Sequence, residues 1–169
     1  MRTTIVFARA ACGAGLAMAC ASANAQTVSC SITATPMAFG VYDPASPVGL
    51  GPVTATINVG CSVPPGGGNV TGLTVTLSLS TGSSNDYAQR RMTSVPPGYT
   101  VRYNIYTSAS PSGAVWGNGA ASATVPLTMP RITPGQTGAA TATAYGFVPP
   151  LQDVAAANYS DVIVVTATW

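Results

Sequence analysis

The chain contains no histidine, no lysine and no glutamate; its 169 residues carry only six arginines and four aspartates as formal charges. Without histidine there is no Ser-His-Asp triad, and without lysine no Ser-Lys dyad. Asp43, Asp86, Asp153 and Asp161 are scattered, each in or beside a turn. They are therefore read as turn caps rather than as a pair of glycosidase carboxylates, and their spacing fits no calcium loop. Gly66-Gly67-Gly68 opens no helix and carries no lysine, so it reads as a flexible loop rather than a phosphate cradle. The sequence predicts no enzyme, no cofactor and no metal site. So sparse a charge set also gives no footprint for nucleic acid or anionic lipid.

Long apolar runs are missing as well, except near the N-terminus. There Arg2 and Arg9 precede a small-residue apolar run, Ala10 to Ala21, followed by Ala23-Asn24-Ala25. This is the pattern of a secretory signal peptide over residues 1–25, with cleavage between Ala25 and Gln26. The run is too short to span a bilayer. Cys20 is a poor lipoprotein acceptor, because Leu16 lies four residues before it rather than three. The mature domain is expected to span residues 26–169, with four arginines balanced by four aspartates. That is one domain's worth of chain, long enough for a real core.

Of the four cysteines, Cys12 and Cys20 fall in the leader, leaving Cys30 and Cys61. Two thiols without histidine do not make a zinc site, and an exported pair is read as a disulfide. Both fall in the apolar phase of alternating stretches. Val28, Cys30, Ile32 and Ala34 alternate with Ser and Thr, and Val53, Ala55, Ile57, Val59 and Cys61 do the same.

The same period of two recurs at Leu73–Leu79 and at Tyr99–Ile105. Shorter or weaker extended pieces follow at Arg90–Met92, Ser122–Met129 and Thr137–Val148. Gly, Pro and Ser turns separate them, and no 3.6-residue period appears. About seven short strands of this kind predict an all-β, immunoglobulin-like antiparallel β-sandwich. The run Tyr159–Trp169 is the one on which the rest depends. It is β-branched and aromatic, free of Gly and Pro, apolar in most of both phases, and read as one strand. A final strand apolar on both faces expects cover on both faces. The expectation is a domain one strand short, with another protein supplying the missing strand.

Arg90-Arg91 reads as a solvated strand end in preference to a partner contact. Trp116 and the tyrosines read as core or rim in preference to a sugar platform.

These residues together resemble the spore coat protein U domain family, which includes the subunits of archaic chaperone–usher pili. The resemblance is carried by Cys30 followed by Ala38-Phe39-Gly40-Val41-Tyr42-Asp43 and the strand ending in Cys61. It continues through Arg91-Met92, Val101-Arg102-Tyr103-Asn104-Ile105-Tyr106, Val115-Trp116-Gly117-Asn118-Gly119 and Tyr145-Gly146-Phe147-Val148-Pro149. Tyr159-Ser160-Asp161 and the aromatic Trp169 close it. The order and spacing of these pieces are specific, although no single one is.

The resemblance implies an incomplete sandwich lacking its final strand. It further implies a periplasmic chaperone that lends a strand, an outer-membrane usher, and a neighbouring pilus subunit whose segment replaces the loan. Val162, Val164, Thr166 and Trp169 are then the residues expected to border the acceptor groove. The implied location is the periplasm, then the cell surface or a secreted fibre. Two departures bear on fibre position. Only Gln26-Thr27-Val28-Ser29 stand between the expected cleavage point and Cys30, too few to donate a strand, and Asn158 occupies a position where the family often has glycine. The alternative is a free-standing secreted binding module, completed by its own N-terminal segment and recognising glycans through Trp116 and its loops. The weakest alternative is an enzyme using aspartate catalysis.

Overall fold

The computed structural model of the protein describes residues 27–120 and 122–169; the expected leader and its cleavage point at Ala25 and Gln26 lie outside the described residues. Nine strands occur among them: β1 (Ser29–Ala34), β2 (Leu50–Ser62), β3 (Thr74–Leu79), β4 (Arg90–Val95), β5 (Thr100–Tyr106), β6 (Val125–Thr128), β7 (Thr137–Val148), β8 (Asn158–Ser160) and β9 (Val165–Thr168). They form a six-stranded sheet ordered β1-β2-β7-β5-β4-β8 and a three-stranded sheet ordered β6-β3-β9. All strand pairs are antiparallel. The architecture is the expected immunoglobulin-like sandwich.

Alternation drives each strand to one face. Ala55, Ile57, Val59 and Cys61 of β2 are buried, and so are Val75, Leu77 and Leu79 of β3 and Val101, Tyr103 and Ile105 of β5. The intervening Thr, Ser and Asn side chains take the other face. The long β2–β7 ladder is the spine, running from Leu50 opposite Val148 to Ser62 opposite Thr137. Its one irregularity lies between Leu50 and Val53, where Gly51 and Pro52 interrupt the pairing.

Cys30 lies directly opposite Cys61, and the two form a disulfide. The bridge ties edge strand β1 to its single neighbour, β2. A closed loop with a sequence separation of 31 is worth about 3–4 kcal/mol in the chain-entropy account. The double replacement Cys30→Ser with Cys61→Ser is expected to lower unfolding stability by that amount. Loss of amide protection should appear first in β1, and hydrogen exchange reads it residue by residue.

The C-terminal run departs from the expected single strand. Residues 158–160 pair with β4, Ser160 opposite Thr93 and Asn158 opposite Val95. Residues 165–168 pair instead with β3, Val165 opposite Leu79 and Thr168 opposite Thr76. The chain crosses from one sheet to the other between them. Asp161 fixes the corner: its Oδ1 accepts the Ser83 amide at 2.9 Å and the Val162 amide at 2.9 Å, and its Oδ2 accepts the Tyr103 hydroxyl at 2.7 Å. Ser80 holds the far side, its Oγ accepting the Val164 amide at 2.9 Å and its amide donating to the Val164 carbonyl at 2.9 Å. Gly82 has φ +68°, and a Cβ there would collide with the Asp161 carboxylate. Glycine is therefore needed both for its backbone angle and for the close approach.

The two outer strands of the small sheet differ. β6 carries Pro126 opposite Thr76; Val125 and Leu127 face β3, so the amide that Pro126 lacks is missing from the outer margin of β6. β9 has no proline and one hydrogen-bonded neighbour, β3.

Candidate functional site: an open groove into the core

β1 ends at Ala34, as Pro36 predicts. Thr35 is still tied to β2, donating its amide to the Thr56 carbonyl at 3.0 Å and accepting the Thr56 amide on Oγ1 at 2.8 Å. Beyond it Met37 and Phe39 lie over β7 at Gly146, where any Cβ would meet the Phe39 ring at 2.7 Å. Phe39 also meets Tyr103 edge-on, with ring centroids 5.7 Å apart.

This segment forms one wall of a groove of about 350 Å³. The other wall is Leu79, Tyr159, Ser160, Asp161, Ile163 and Val165. Its floor is the inner face of the large sheet, Ala55 and Ile57 of β2, Met92 of β4, Tyr103 and Ile105 of β5, and Ala144 of β7. Most of these floor residues belong to the buried core, so the groove opens into the hydrophobic interior. It lies beyond the end of β1 and beside β9, each hydrogen-bonded to a single neighbour. At the other end the two sheets meet, the Trp169 indole Nε1–H donating to the Val28 carbonyl at 3.3 Å.

The four residues expected to border the groove belong to this terminal segment, but their side chains do not line it. Val162, Val164 and Trp169 are exposed, as is Thr166. The opposite phase, Ile163 and Val165, faces the groove. The backbone of the segment forms the wall; the lining side chains alternate with those the sequence pointed to.

Arg90 corrects an expectation from the sequence. It is no solvated strand end but wholly buried, in phase with Met92 and Ser94 on the inner face of β4. Its Nε and Nη2 donate to the Ser80 carbonyl at 3.1 and 2.8 Å, Nη2 also to the Trp116 carbonyl at 2.7 Å, and Nη1 to Asn104 Oδ1 at 2.8 Å. The guanidinium also stands 5.3 Å from the centroid of the Tyr87 ring. Burial lowers its pKa from the ordinary arginine value, while Tyr103, Tyr87 and Asp161 act in the opposite sense. Arg91, next along the strand, is exposed. The period of two was the available signal for Arg90.

Trp116 is fully buried too, its indole N–H donating to the Leu77 carbonyl at 3.1 Å. It belongs to the core and is closed to any external sugar. Asp43 and Asp86 cap turns as expected, accepting the Ala45 and Ala88 amides at 2.9 and 2.8 Å. Asp161 does more than cap a turn, because it joins the sheet crossing to Tyr103 on the groove floor.

Burial first, then the hydrogen bond to Asp161 and its negative charge, raise the Tyr103 pKa well above the usual phenol value, with Arg90 opposing. The folded state therefore holds this proton more tightly than the unfolded chain, whose tyrosines ionise near pH ~10. The stability it contributes is complete below about pH 10 and falls as the pH rises further. The urea midpoint should fall as the pH is raised above about 10, and Tyr103→Phe should flatten that fall.

A two-sheet all-β sandwich with a cleft into its core between two outer strands defines the structural class. Within that class the chain belongs to the Spore Coat Protein U domain family, whose model matches residues 16–166. Among solved structures, it is similar in fold to a chain in the CsuC–CsuE chaperone–tip adhesion subunit pre-assembly complex from archaic chaperone–usher Csu pili of Acinetobacter baumannii. That match has a TM-score of 0.52 at 20% identity and covers 85% of this chain and 40% of the other, so this chain spans less than half of its neighbour's length. No curated protein sequence matches it.

Proposed function

We propose that the protein is an exported, non-enzymatic subunit of a chaperone–usher type surface fibre or coat, completed by a strand it does not itself supply. In this reading the leader, residues 1–25, is cleaved after Ala25. A periplasmic chaperone then fills the groove with an extended segment, and at the outer-membrane usher a neighbouring subunit's segment takes its place. The groove between β1 and β9, floored by Ile57, Ile105 and Ala144, carries the reading. A strand laid there extends a sheet edge through main-chain hydrogen bonds and places alternate apolar side chains in the core. The family membership and the fold likeness to a chain from a chaperone–subunit complex agree with this. The rival glycan module loses its named contact, because Trp116 is inaccessible.

The test is periplasmic expression with and without a chaperone encoded beside the gene. Co-expression should yield a soluble one-to-one complex whose subunit begins at Gln26, and expression alone should yield aggregate or degraded chain. Equal amounts of stable, soluble monomer in both cases would refute the proposal.

A further inference from the structure

We propose that the protein has a second binding site, for a carboxylate-bearing saccharide, on the face of β5 opposite the groove. Tyr103 and Ile105 point into the core, and the alternate residues Arg102, Asn104 and Tyr106 take the other face. There they line a cleft of about 440 Å³ with Gln89, Phe147 and Pro111, a volume within the range of small-ligand sites.

The cleft has one cation and no carboxylate in its lining. Asn104 is fully engaged: its Oδ1 takes Arg90 Nη1 and the Ile105 amide, and its Nδ2 donates to the Tyr87 and Ala88 carbonyls. The Arg102 guanidinium, the Gln89 amide and the Tyr106 hydroxyl make no hydrogen bond or ion pair with any described residue. Arg102 is nonetheless anchored through its backbone. Its amide donates to Gln152 Oε1 at 2.8 Å, and its carbonyl accepts from Gln152 Nε2 at 3.0 Å. Gln152 is fixed in turn, its amide donating to the Tyr42 hydroxyl oxygen at 2.8 Å. Beside this uncommitted cation, Tyr106 and Phe147 form an edge-to-face pair 5.6 Å apart at 81°.

An unpaired guanidinium fork suits a planar carboxylate. The neighbouring rings offer apolar surface, and the amide and hydroxyl offer hydrogen bonds. A uronate or sialate presents all three complements on one ring: a carboxylate, several hydroxyls and an apolar C–H face. A fatty carboxylate would instead need a deep apolar slot, which this mixed lining does not give. The inference does not rest on the groove accepting a strand.

The experiment is titration of the soluble protein, with its chaperone bound where that is the soluble form, against trigalacturonate, sialyllactose and neutral maltotriose. One or both acidic sugars should bind and maltotriose should not, and the two acidic arms separate uronate from sialate recognition. Arg102→Ala should weaken binding roughly tenfold or more, and Arg102→Lys should restore part of it. Arg131→Ala, which removes an exposed charge outside the cleft, should leave it unchanged, and thermal melts of each variant establish that the fold is intact. Absence of binding to both acidic sugars, equal binding of maltotriose, or equal losses in the Arg102 and Arg131 variants would overturn the proposal.

Discussion

Arg90→Ala should cost roughly 3–5 kcal/mol of unfolding stability, the scale seen when one partner of a buried, hydrogen-bonded charged group is removed. The guanidinium serves three acceptors at once: the buried Trp116 carbonyl and Asn104 Oδ1, and the part-buried Ser80 carbonyl. Removing it strands the two carbonyls, leaves Asn104 Oδ1 with the Ile105 amide as its remaining donor, and opens a cavity. Arg90→Met refills much of the volume but leaves the acceptors unpaired, so it should recover only part of the loss. Arg90→Lys should recover little, because a compact ammonium lacks the planar fork that spans these positions. Arg91→Ala, on the exposed phase of the same strand, should change stability by less than about 0.5 kcal/mol. Urea unfolding followed by tryptophan fluorescence is the measurement, since the buried Trp116 touches this network through its own carbonyl. At this chain length the alanine variant should melt about 10–17 °C below wild type. A loss under about 1 kcal/mol would mean that the network is not what holds this end of the sandwich.

Filling the groove should have an equally large effect, on association rather than on folding. Ala144 is buried on the groove floor. Ala144→Phe places a ring where an incoming strand would put its own side chain. Each apolar side chain denied its place forfeits about 1.5–3 kcal/mol, so chaperone capture should weaken roughly 10- to 150-fold. The isolated subunit should gain solubility and bind less of an apolar dye. Thr143→Phe adds the same ring on the exposed face of β7 and should leave chaperone capture intact. Co-purification of chaperone with each variant, read against wild type, separates these outcomes. Undiminished capture by Ala144→Phe would count against the proposal that a strand enters this groove.

Strands were legible wherever one face is buried and the other is not. β2, β3 and β5 follow from alternation, and β7 has the bounds that Thr137 and Pro149 suggest. The Cys30–Cys61 bridge was legible from the shared phase of the two cysteines and the expected export. What the sequence concealed were places where regularity continues across a change of partner. Tyr159–Trp169 contains no Gly or Pro to announce that β8 and β9 belong to different sheets, with residues 161–164 in neither strand. Asp161 was the local signal, but its long-range contacts to Ser83 and Tyr103 come only from the fold. The run is apolar in both phases, so periodicity did not identify Ile163 and Val165 as the groove-facing side. Arg90 was hidden because a charge conventionally reads as exposed, whereas here backbone carbonyls substitute for water around it.

Pro126 has a consequence for which flank of the small sheet can recruit another chain. A sandwich with two equally receptive margins could recruit neighbours on both, broadening into a sticky mat. Here one margin of the small sheet has a gap in its row of amides and the other does not. On the small sheet, an unbroken row of amides is therefore offered by β9 alone, and recruitment there is confined to one flank.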